Sequence, residues 1–421
     1  MGFVGVFGGI TGFRRGRALC VVPELTTDIA AGSLPTDENG RVLLKNLSRT
    51  QLDDFVTSLG EKPFRAAQLW RWMYHPDSLV GTFEEMTDLS KAFRAKLEDH
   101  SRVDSLTLND THVAKDGTRK ITYKLEDGGI IESVWIPTND RVTLCISSQL
   151  GCALNCQFCF TAKMGLRRHL SLGEIVDQVV LSKRFFDDKD ETGKRITNIV
   201  FMGMGEPLHN TENVIQATNI LTSNKGLGLS HNKVTVSTSG LVPEIVRFFK
   251  ESPANLAVSL NATTDEIRDW IMPINKKYDL ASLLGTLKTV VPRREDGKAL
   301  KKIFFEYVLL KGVNDTMDDA KRIVKLTSGI PCKVNLISFN PHSGTEFEPS
   351  PPETMEMFSR YLASKGVRVT ARASRGDDEM AACGQLGKPG DKPSPPRTKI
   401  PPTFEGKVKG GSTKRRVGRN P

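Results

Sequence analysis

At 421 residues the chain is longer than one compact core usually holds, so a large domain with a smaller companion is expected. Its 38% hydrophobic and 26% charged residues read as soluble and globular, and no apolar run approaches the roughly 18 residues that a membrane helix needs. Seven cysteines, an odd number in a long chain, argue against a secreted disulfide framework and for a cysteine site in a reducing compartment.

The net charge of +10 gathers at one end. Residues 388–421 carry ten basic and two acidic side chains, among Pro- and Gly-rich stretches such as "KPSPPRTKIPP" and "KGGSTKRR". This composition predicts a disordered tail, either a phosphate-seeking arm for nucleic acid or a merely solvated end. At the other end, residues 1–42 form a leader. Its first 23 residues hold Arg14, Arg15 and Arg17 and no acid, which suits either an untargeted floppy segment or an organellar transit segment.

Residues 43–105 read as a small helical domain. "SRTQLDDFVTSLG" opens on Ser48 as a cap candidate and stops at Gly60. "PFRAAQLWRWMYHP" and "LSKAFRAKLEDH" follow with apolar residues at helical spacing. The cluster Trp70, Trp72, Met73 and Tyr74 is either the core of this domain or a platform for stacking bases. Residues 106–137 form a linker region with a β-hairpin, "TRKITYKLEDGGIIESVWIP", turning at Asp127-Gly128-Gly129.

From residue 138 to 387 strands and helices alternate. "RVTLCISSQ", "TNIVFMG", "NKVTVSTSG", "NLAVSLNA", "KIFFEYVLLKG" and "CKVNLISFNP" each precede a helical pattern, and "VRVTARAS" closes the series. About six β/α units predict an α/β fold with a parallel sheet and helices outside, as an open, partial barrel. The polar motifs "SSQLGC", "GMGEP", "STSG", "SLNA" and "FNP" all sit at strand C-termini, where such a fold gathers its functional groups.

"GCALNCQFCF" sets Cys152, Cys156 and Cys159 within eight residues. Structural zinc wants four ligands, usually as two pairs. No second pair follows, and the next histidine, His169, lies ten residues past Cys159. Thiolates also hold iron–sulfur clusters. Three of them on a four-iron cluster leave one iron open to an amino and a carboxylate group. The Cys-x3-Cys-x2-Cys loop after a first strand, with Phe158 before the last cysteine, resembles the signature of radical S-adenosylmethionine (SAM) enzymes. One unit later, "FMGMGEPL" offers Gly203 and Gly205 for close backbone approach and Glu206 as an acceptor for the ammonium of SAM.

The set "TLCISSQLGCALNCQFC", "GMGEPLHN", "VTVSTSG", "IMPINKKY", "NLISFNP" and "RGDDEMAACGQL" resembles the RlmN-type family from about residue 43 to 387. Its members are radical SAM methyltransferases acting at adenine C2 of 23S ribosomal RNA and transfer RNA. The resemblance implies a [4Fe-4S] cluster on Cys152, Cys156 and Cys159, and SAM, two per turnover, held by Gly205, Glu206, Ser237, Ser259, Leu260, Asn261 and Asn340. It further implies a methyl-carrying Cys383, a resolving partner Cys145 that closes a transient disulfide, and Glu132 as proton acceptor. Many members have His where Asn261 stands.

The implied chemistry suits the substrate. Adenine C2 is electron-poor and does not attack the methyl of SAM, so carbon is first loaded on Cys383 and delivered as a radical, giving a transient protein–RNA adduct that Cys145 resolves. The resemblance also implies a flavodoxin or ferredoxin as electron donor, no membrane partner, a monomer, and a cytoplasmic or organellar location. Taken singly, Glu132 suits a solvated strand residue as well as a base, and Ser237 and Asn340 suit strand-end caps. Cys20 and Cys332 read as inert. "RGDD", Arg375 to Asp378, either holds RNA phosphate or braces the Cys383 loop. An adenine-C8 methyltransferase and a non-catalytic RNA-binding protein with a structural cluster are the competing readings.

Overall fold

The computed structural model describes residues 34–138, 141–187, 193–292, 296, 299–372, 374–387 and 398–404. Cys20, the leader arginines and most of the basic tail lie outside the described residues. The described part begins with β1 (Val42–Leu43) and three helices, α1 (Arg49–Ser58), α2 (Phe64–Tyr74) and α3 (Lys91–His100). Ser48 caps α1 as its sequence predicts. Its hydroxyl accepts the Gln51 N–H and the Gln51 side chain answers at the Ser48 N–H, a reciprocal box. Gly60, at φ 76°, ends the turn that follows.

The aromatic cluster is core rather than an open platform. Met73 and Tyr74 are fully buried, Trp70 meets Tyr74 edge-on at 4.6 Å, and Trp72 donates its indole N–H to Asp88. Trp70 also donates to the Lys225 carbonyl at 2.8 Å, which ties the helices to the larger layer. After β2 (Ser101–Arg102), parallel to β1, a second tie is charged. Buried Lys45 donates to Asp104 and to Asp177, and Arg184 closes the network on Asp104. Removing one partner from such a buried ion pair typically costs about 3–5 kcal/mol.

The rest is built on one ten-stranded sheet. β3 (Thr107–Val113), β4 (Arg119–Lys124), β5 (Ile130–Pro137) and β6 (Val142–Cys145) run antiparallel in succession. The turn at Asp127-Gly128-Gly129 joins β4 to β5 as predicted, with Gly128 at φ 77°. The segment read as a linker hairpin is therefore a three-stranded extension of the barrel sheet. The short strands β7 (Gln149–Leu150) and β8 (Arg168–His169) pair with each other and bracket the cysteine loop and α4 (Phe160–Lys163).

α5 (Leu172–Ser182) follows, buried on every side. Then come β9 (Ile196–Phe201), α6 (Thr211–Thr222), β10 (Val234–Thr238), α7 (Val242–Glu251), β11 (Asn255–Ser259), α8 (Asp265–Ile271), α9 (Leu280–Val290), β12 (Ile303–Leu309), α10 (Met317–Thr327), β13 (Cys332–Ser338), α11 (Pro352–Ser364) and β14 (Val369–Arg372). β6 and β9 through β14 are parallel neighbours in chain order. This is the expected run of six β/α units plus a closing strand. Parallel pairing gathers all their C-terminal ends at one rim.

One stretch departs from the expectation of a structureless tail. Residues 398–404 lie against α8. Thr398 donates its N–H to Gln157 and its hydroxyl to the Trp270 carbonyl, and Phe404 packs on Trp270 at 5.4 Å between ring centres. Ile400 and Phe404 have an apolar patch of Trp270 and Phe347 to cover, and that burial outweighs the polar, Pro-rich composition around them. Among the described residues no helix is long and apolar enough to cross a membrane.

Candidate active site

The cysteine loop starts where β7 leaves the rim. Gly151 is at φ 81°, and a Cβ there would stand 1.8 Å from the Gly165 carbonyl oxygen, so only glycine fits. The same carbonyl accepts the Cys152 N–H at 3.1 Å. Asn155, at φ 54°, turns the chain, and the Gln157 N–H donates to the Ile271 carbonyl at 3.0 Å. Cys159 then precedes α4 directly. The three cysteines thus lie on a wound, braced loop.

Beside it stands Arg268 of α8, fully buried. Its guanidinium donates to the carbonyls of Leu260, Ser239 and Ser259 at 3.0, 2.8 and 3.0 Å and to Asn275 Oδ1 at 2.9 Å. Burial brings its pKa down to about 10, so it stays charged at neutral pH, and it attracts a Cys156 thiolate. Sequence reasoning missed this residue.

Of the residues expected to hold SAM, Glu206 stands beside the loop. Gly205, at φ 101°, passes so close to Gln149 that a Cβ would lie 2.5 Å from the Gln149 Cβ. Glu206 is buried, accepts the N–H groups of Leu208 and Ser239 at 3.0 and 2.7 Å, and is close enough to repel charge on Cys152 and Cys156. Burial raises its pKa. Ser237 lies in β10, and Ser259 and Leu260 hold the adjoining rim. Asn261, at φ 51°, is turned inward. Its Oδ1 accepts the Val308 N–H at 2.9 Å, its Nδ2 donates to Met272 Sδ, and its carbonyl accepts from Asn314. The Asn261 side chain is thus committed to packing between strands.

The Cys383 loop folds back over the rim and is fastened on both flanks. "RGDD" makes the bracing contacts that its sequence allows. Arg375 pairs with Asp116 at 3.7 Å, Asp377 accepts from Gln385 at 2.6 Å, and Asp378 accepts the Lys115 N–H at 3.1 Å. On the other flank the Gly384 carbonyl accepts the Phe160 N–H at 2.7 Å, and Leu386 accepts the Thr161 hydroxyl at 2.6 Å. Glu132, buried on β5, accepts the Gly387 N–H at 3.0 Å. Asn340 donates to the Cys383 carbonyl at 3.3 Å, so it positions the loop directly.

The outcome is a cavity of about 480 Å³ inside the barrel, lined in part by Cys145, Cys383, Asn340 and Arg372. Cys383 is open to this lumen, whereas Cys145 is buried at the end of β6. Burial, then repulsion from Cys383, pushes the Cys145 thiol up to about 12. Burial, then Cys159 and Glu306, pushes Cys383 up to about 11. The two thiols therefore feel each other across 238 positions of sequence, and Cys383 also feels the cysteine loop. Cys332 is half-buried at the start of β13, at the opposite end of the strands.

The donor set fits an iron–sulfur cluster. Burial and mutual repulsion push the Cys156 thiol up to about 12, so three thiolates on this loop need a strong cationic partner. Among the described residues no three His, Cys, Asp or Glu side chains converge tightly enough for a single ion.

Comparison with known proteins agrees. Residues 42–103 match the family described as "Ribosomal RNA large subunit methyltransferase N-terminal domain", and residues 146–326 match "Radical SAM superfamily". The chain is 47% identical to the dual-specificity RNA methyltransferase RlmN of Syntrophotalea carbinolica, over 83% of this chain and 91% of that one. It is 48% identical to the RlmN protein of Geobacter sulfurreducens, over 82% and 91%. The chain belongs to the RlmN family.

A crystal structure of a radical SAM methyltransferase from Sphaerobacter thermophilus superposes with a TM-score of 0.76 at 38% identity, covering 82% of this chain and 98% of that one. The protein is thus a radical SAM enzyme, an RNA methyltransferase that uses SAM and an iron–sulfur cluster. The adenine-C8 and non-catalytic readings are not favoured. Within this RlmN-family chain the first match coincides with the helical layer, and the second covers the cysteine loop and the strand ends at Gly205-Glu206, Ser237 and Ser259.

Proposed function

We propose that this RlmN-family protein methylates C2 of an adenosine in both 23S ribosomal RNA and transfer RNA, with Cys383 as carbon carrier and Cys145 as resolver. The observation that carries the reading is the convergence of these two thiols on one cavity beside the cysteine loop. Cys152, Cys156 and Cys159 hold a [4Fe-4S] cluster, and the rim at Gly205, Glu206, Ser237, Ser259 and Leu260 holds SAM. When bound, these groups supply the methyl group and, from a second SAM, the adenosyl radical, at the expense of an electron from a flavodoxin or ferredoxin.

The residues of the chain do the rest. Cys383, open to the lumen, is a nucleophile that accepts the methyl carbon and holds it where a base enters. Once that carbon is bonded to C2, the adduct would give up one electron, which the cluster can take back, and its C2 proton; the thiolate of Cys145 then bonds to the Cys383 sulfur, and the carbon–sulfur electron pair leaves on the carbon, which takes a proton to complete the methyl group. The high pKa of Cys145 keeps it protonated until it is needed. Glu132, hydrogen-bonded to the carrier loop at Gly387, is the carboxylate that takes the C2 proton. The helical domain, residues 43–105, guides RNA to the rim, and the target base must leave its stack to reach the lumen, at a cost of a few kcal/mol. The bacterial relatives favour a cytoplasmic location, and the enzyme is taken to act as a monomer.

Nucleoside mass spectrometry tests this directly. Each RNA class, treated with the reconstituted enzyme, is expected to gain 2-methyladenosine. Cys145→Ala is expected to stall as a denaturant-resistant protein–RNA adduct, and Cys383→Ala to give neither adduct nor product. A Cys145→Ala enzyme that turns over normally, or a Cys383→Ala enzyme that traps RNA, would refute the assigned roles. 8-Methyladenosine as the product would refute the position.

A further inference from the structure

Glu306 is an acid in an otherwise apolar strand, "KIFFEYVLL", and it faces the lumen from β12. It stands in register with Ser259 of β11 and Asn335 of β13. The side chain is 4% exposed. Its Oε1 accepts from Asn335 Nδ2 at 2.8 Å. Its Oε2 has no hydrogen-bond partner. The Arg372 guanidinium approaches that oxygen at 3.9 Å, an ion pair beyond hydrogen-bond reach. A buried carboxylate oxygen without a donor is costly, and such sites ordinarily await one.

The position of Glu306 limits what that donor can be. It lines the same cavity as Cys145 and Cys383, and its charge is among those that raise the pKa of Cys383. Of the residues that the resemblance assigns to SAM, Asn340 alone lines this cavity, and its side chain already holds the Cys383 carbonyl and the Ser374 hydroxyl. Arg372, Arg375, Arg141 and Lys233 make the other charged walls, which suit a nucleotide's phosphate but leave Glu306 as the acceptor. In adenine, C2 and the carbon bearing the amino group flank N1. A group that binds the amino N–H and a sulfur that delivers carbon to C2 must therefore meet the same edge of the base. Glu306 and Cys383 present such a pair.

We propose that Glu306 reads the target base, with Oε2 accepting a hydrogen bond from the exocyclic amino group of adenine while C2 faces Cys383. The inference rests on the adenine-C2 reading above. It makes Glu306 a specificity residue. A 6-oxo purine would set its carbonyl oxygen against the carboxylate, two acceptors with no proton between them. Sites built to bind a substrate N–H reject analogues lacking it by as much as ~10⁴-fold.

The test compares the reconstituted enzyme on one target RNA carrying adenosine, inosine or purine riboside at the modified position. The readout is the ratio of kcat/KM values within each protein, so partial loss of folded enzyme or cluster cancels. For the wild type, adenosine is expected to exceed inosine by at least ~100-fold. In Glu306→Gln the amide can accept from an amino group or donate to a 6-oxo group, so the adenosine-to-inosine ratio is expected to collapse by ~10-fold or more. In Glu306→Ala the ratio of adenosine to purine riboside is expected to fall ~10-fold or more below that of the wild type, because neither base finds a partner. Because inosine's intrinsic reactivity is common to all three proteins, it drops out of the comparison.

Ratios unchanged in both variants would overturn the proposal. A raised KM for SAM with unchanged base ratios would also overturn it and place the donor on a SAM hydroxyl. A wild type that forms no 2-methyladenosine at all would instead overturn the function reading on which the inference depends.

Discussion

Arg268→Met isolates what the buried cation does. The substitution keeps bulk and removes four hydrogen bonds, to Ser239, Ser259, Leu260 and Asn275. Three of these partners are backbone carbonyls at the ends of β10 and β11, and the guanidinium that serves them is buried. Hydrogen bonds to a charged group contribute about 1.5–3 kcal/mol each. They are not additive when one side chain makes all four, so the loss is set nearer the about 3–5 kcal/mol for removing one member of a buried charged set. With an unfolding entropy of about 2.1 cal/mol/K per residue over roughly 350 ordered residues, that corresponds to a fall in Tm of about 4–7 °C. Arg268→Lys keeps the charge but loses the fork, and should fall between the two. The assay is thermal unfolding of the anaerobically reconstituted protein, with iron content and the electron paramagnetic resonance spectrum of the reduced cluster measured on the same sample. Arg268 also attracts Cys156, so the Met variant should hold less iron and show an altered spectrum. A Tm within one degree of wild type (~1 °C) together with normal iron would refute the claim that this residue ties the rim to the cysteine loop.

Two further outcomes are expected. Truncation after Gly387 removes the contacts of Thr398 and Phe404 to Gln157 and Trp270 together with eight net positive charges; amide exchange around residue 157 should quicken, and RNA binding should weaken with a shallower salt dependence, which a titration across salt concentrations checks. Burial, then the charge of His209, lowers His169 to about 4 from its ordinary 6.5, and its Nδ1 pairs with the Gln149 amide. The folded state thus resists protonation of His169, so stability is full above about pH 6.5 and is lost as pH falls toward 4. His169→Asn should flatten that slope in thermal unfolding, and an unchanged slope would show that other groups carry it.

The architecture was legible because it is written in local periodicity. Alternating strands and helices between residues 138 and 387, the Ser48 cap and the Asp-Gly-Gly turn are patterns over a few residues, and each appears as read. The cysteine triplet was legible for the same reason, since its ligands are neighbours in sequence. Arg268 was not. In "TDEIRDWI" it lies among Asp265, Glu266 and Asp269 and looks like part of a solvated face, and only the packing of α8 against the rim buries it. Asn261 shows the converse. The resemblance implies a ligand role for it, and its sequence does not disclose that the tertiary fold engages both ends of its side chain, on Val308 and Met272. For Glu306 a signal did exist, an ionisable residue in a continuous apolar strand, and a burial argument on that strand alone would have found it.

The Cys383 loop shows why long-range geometry decides such a site. A thiol in the carrier role proposed for Cys383 needs a fixed backbone and an accessible sulfur. The backbone is fixed by contacts to Lys115, Glu132, Phe160 and Thr161, which lie hundreds of positions upstream in two separate elements, the hairpin extension and the cysteine loop. The sulfur is left open to the lumen, with the Cys383 residue tied through its carbonyl to Asn340. Gly376 and Gly387 make the close passage possible. A Cβ on the first would meet Thr118 Cγ2 at 2.8 Å, and one on the second would meet Met164 Sδ at 2.4 Å. The antiparallel extension of the sheet is thus part of the active site. Without β3 to β5, "RGDD" would have nothing to brace against, and the Cys383 loop would be fastened on its cysteine-loop flank alone.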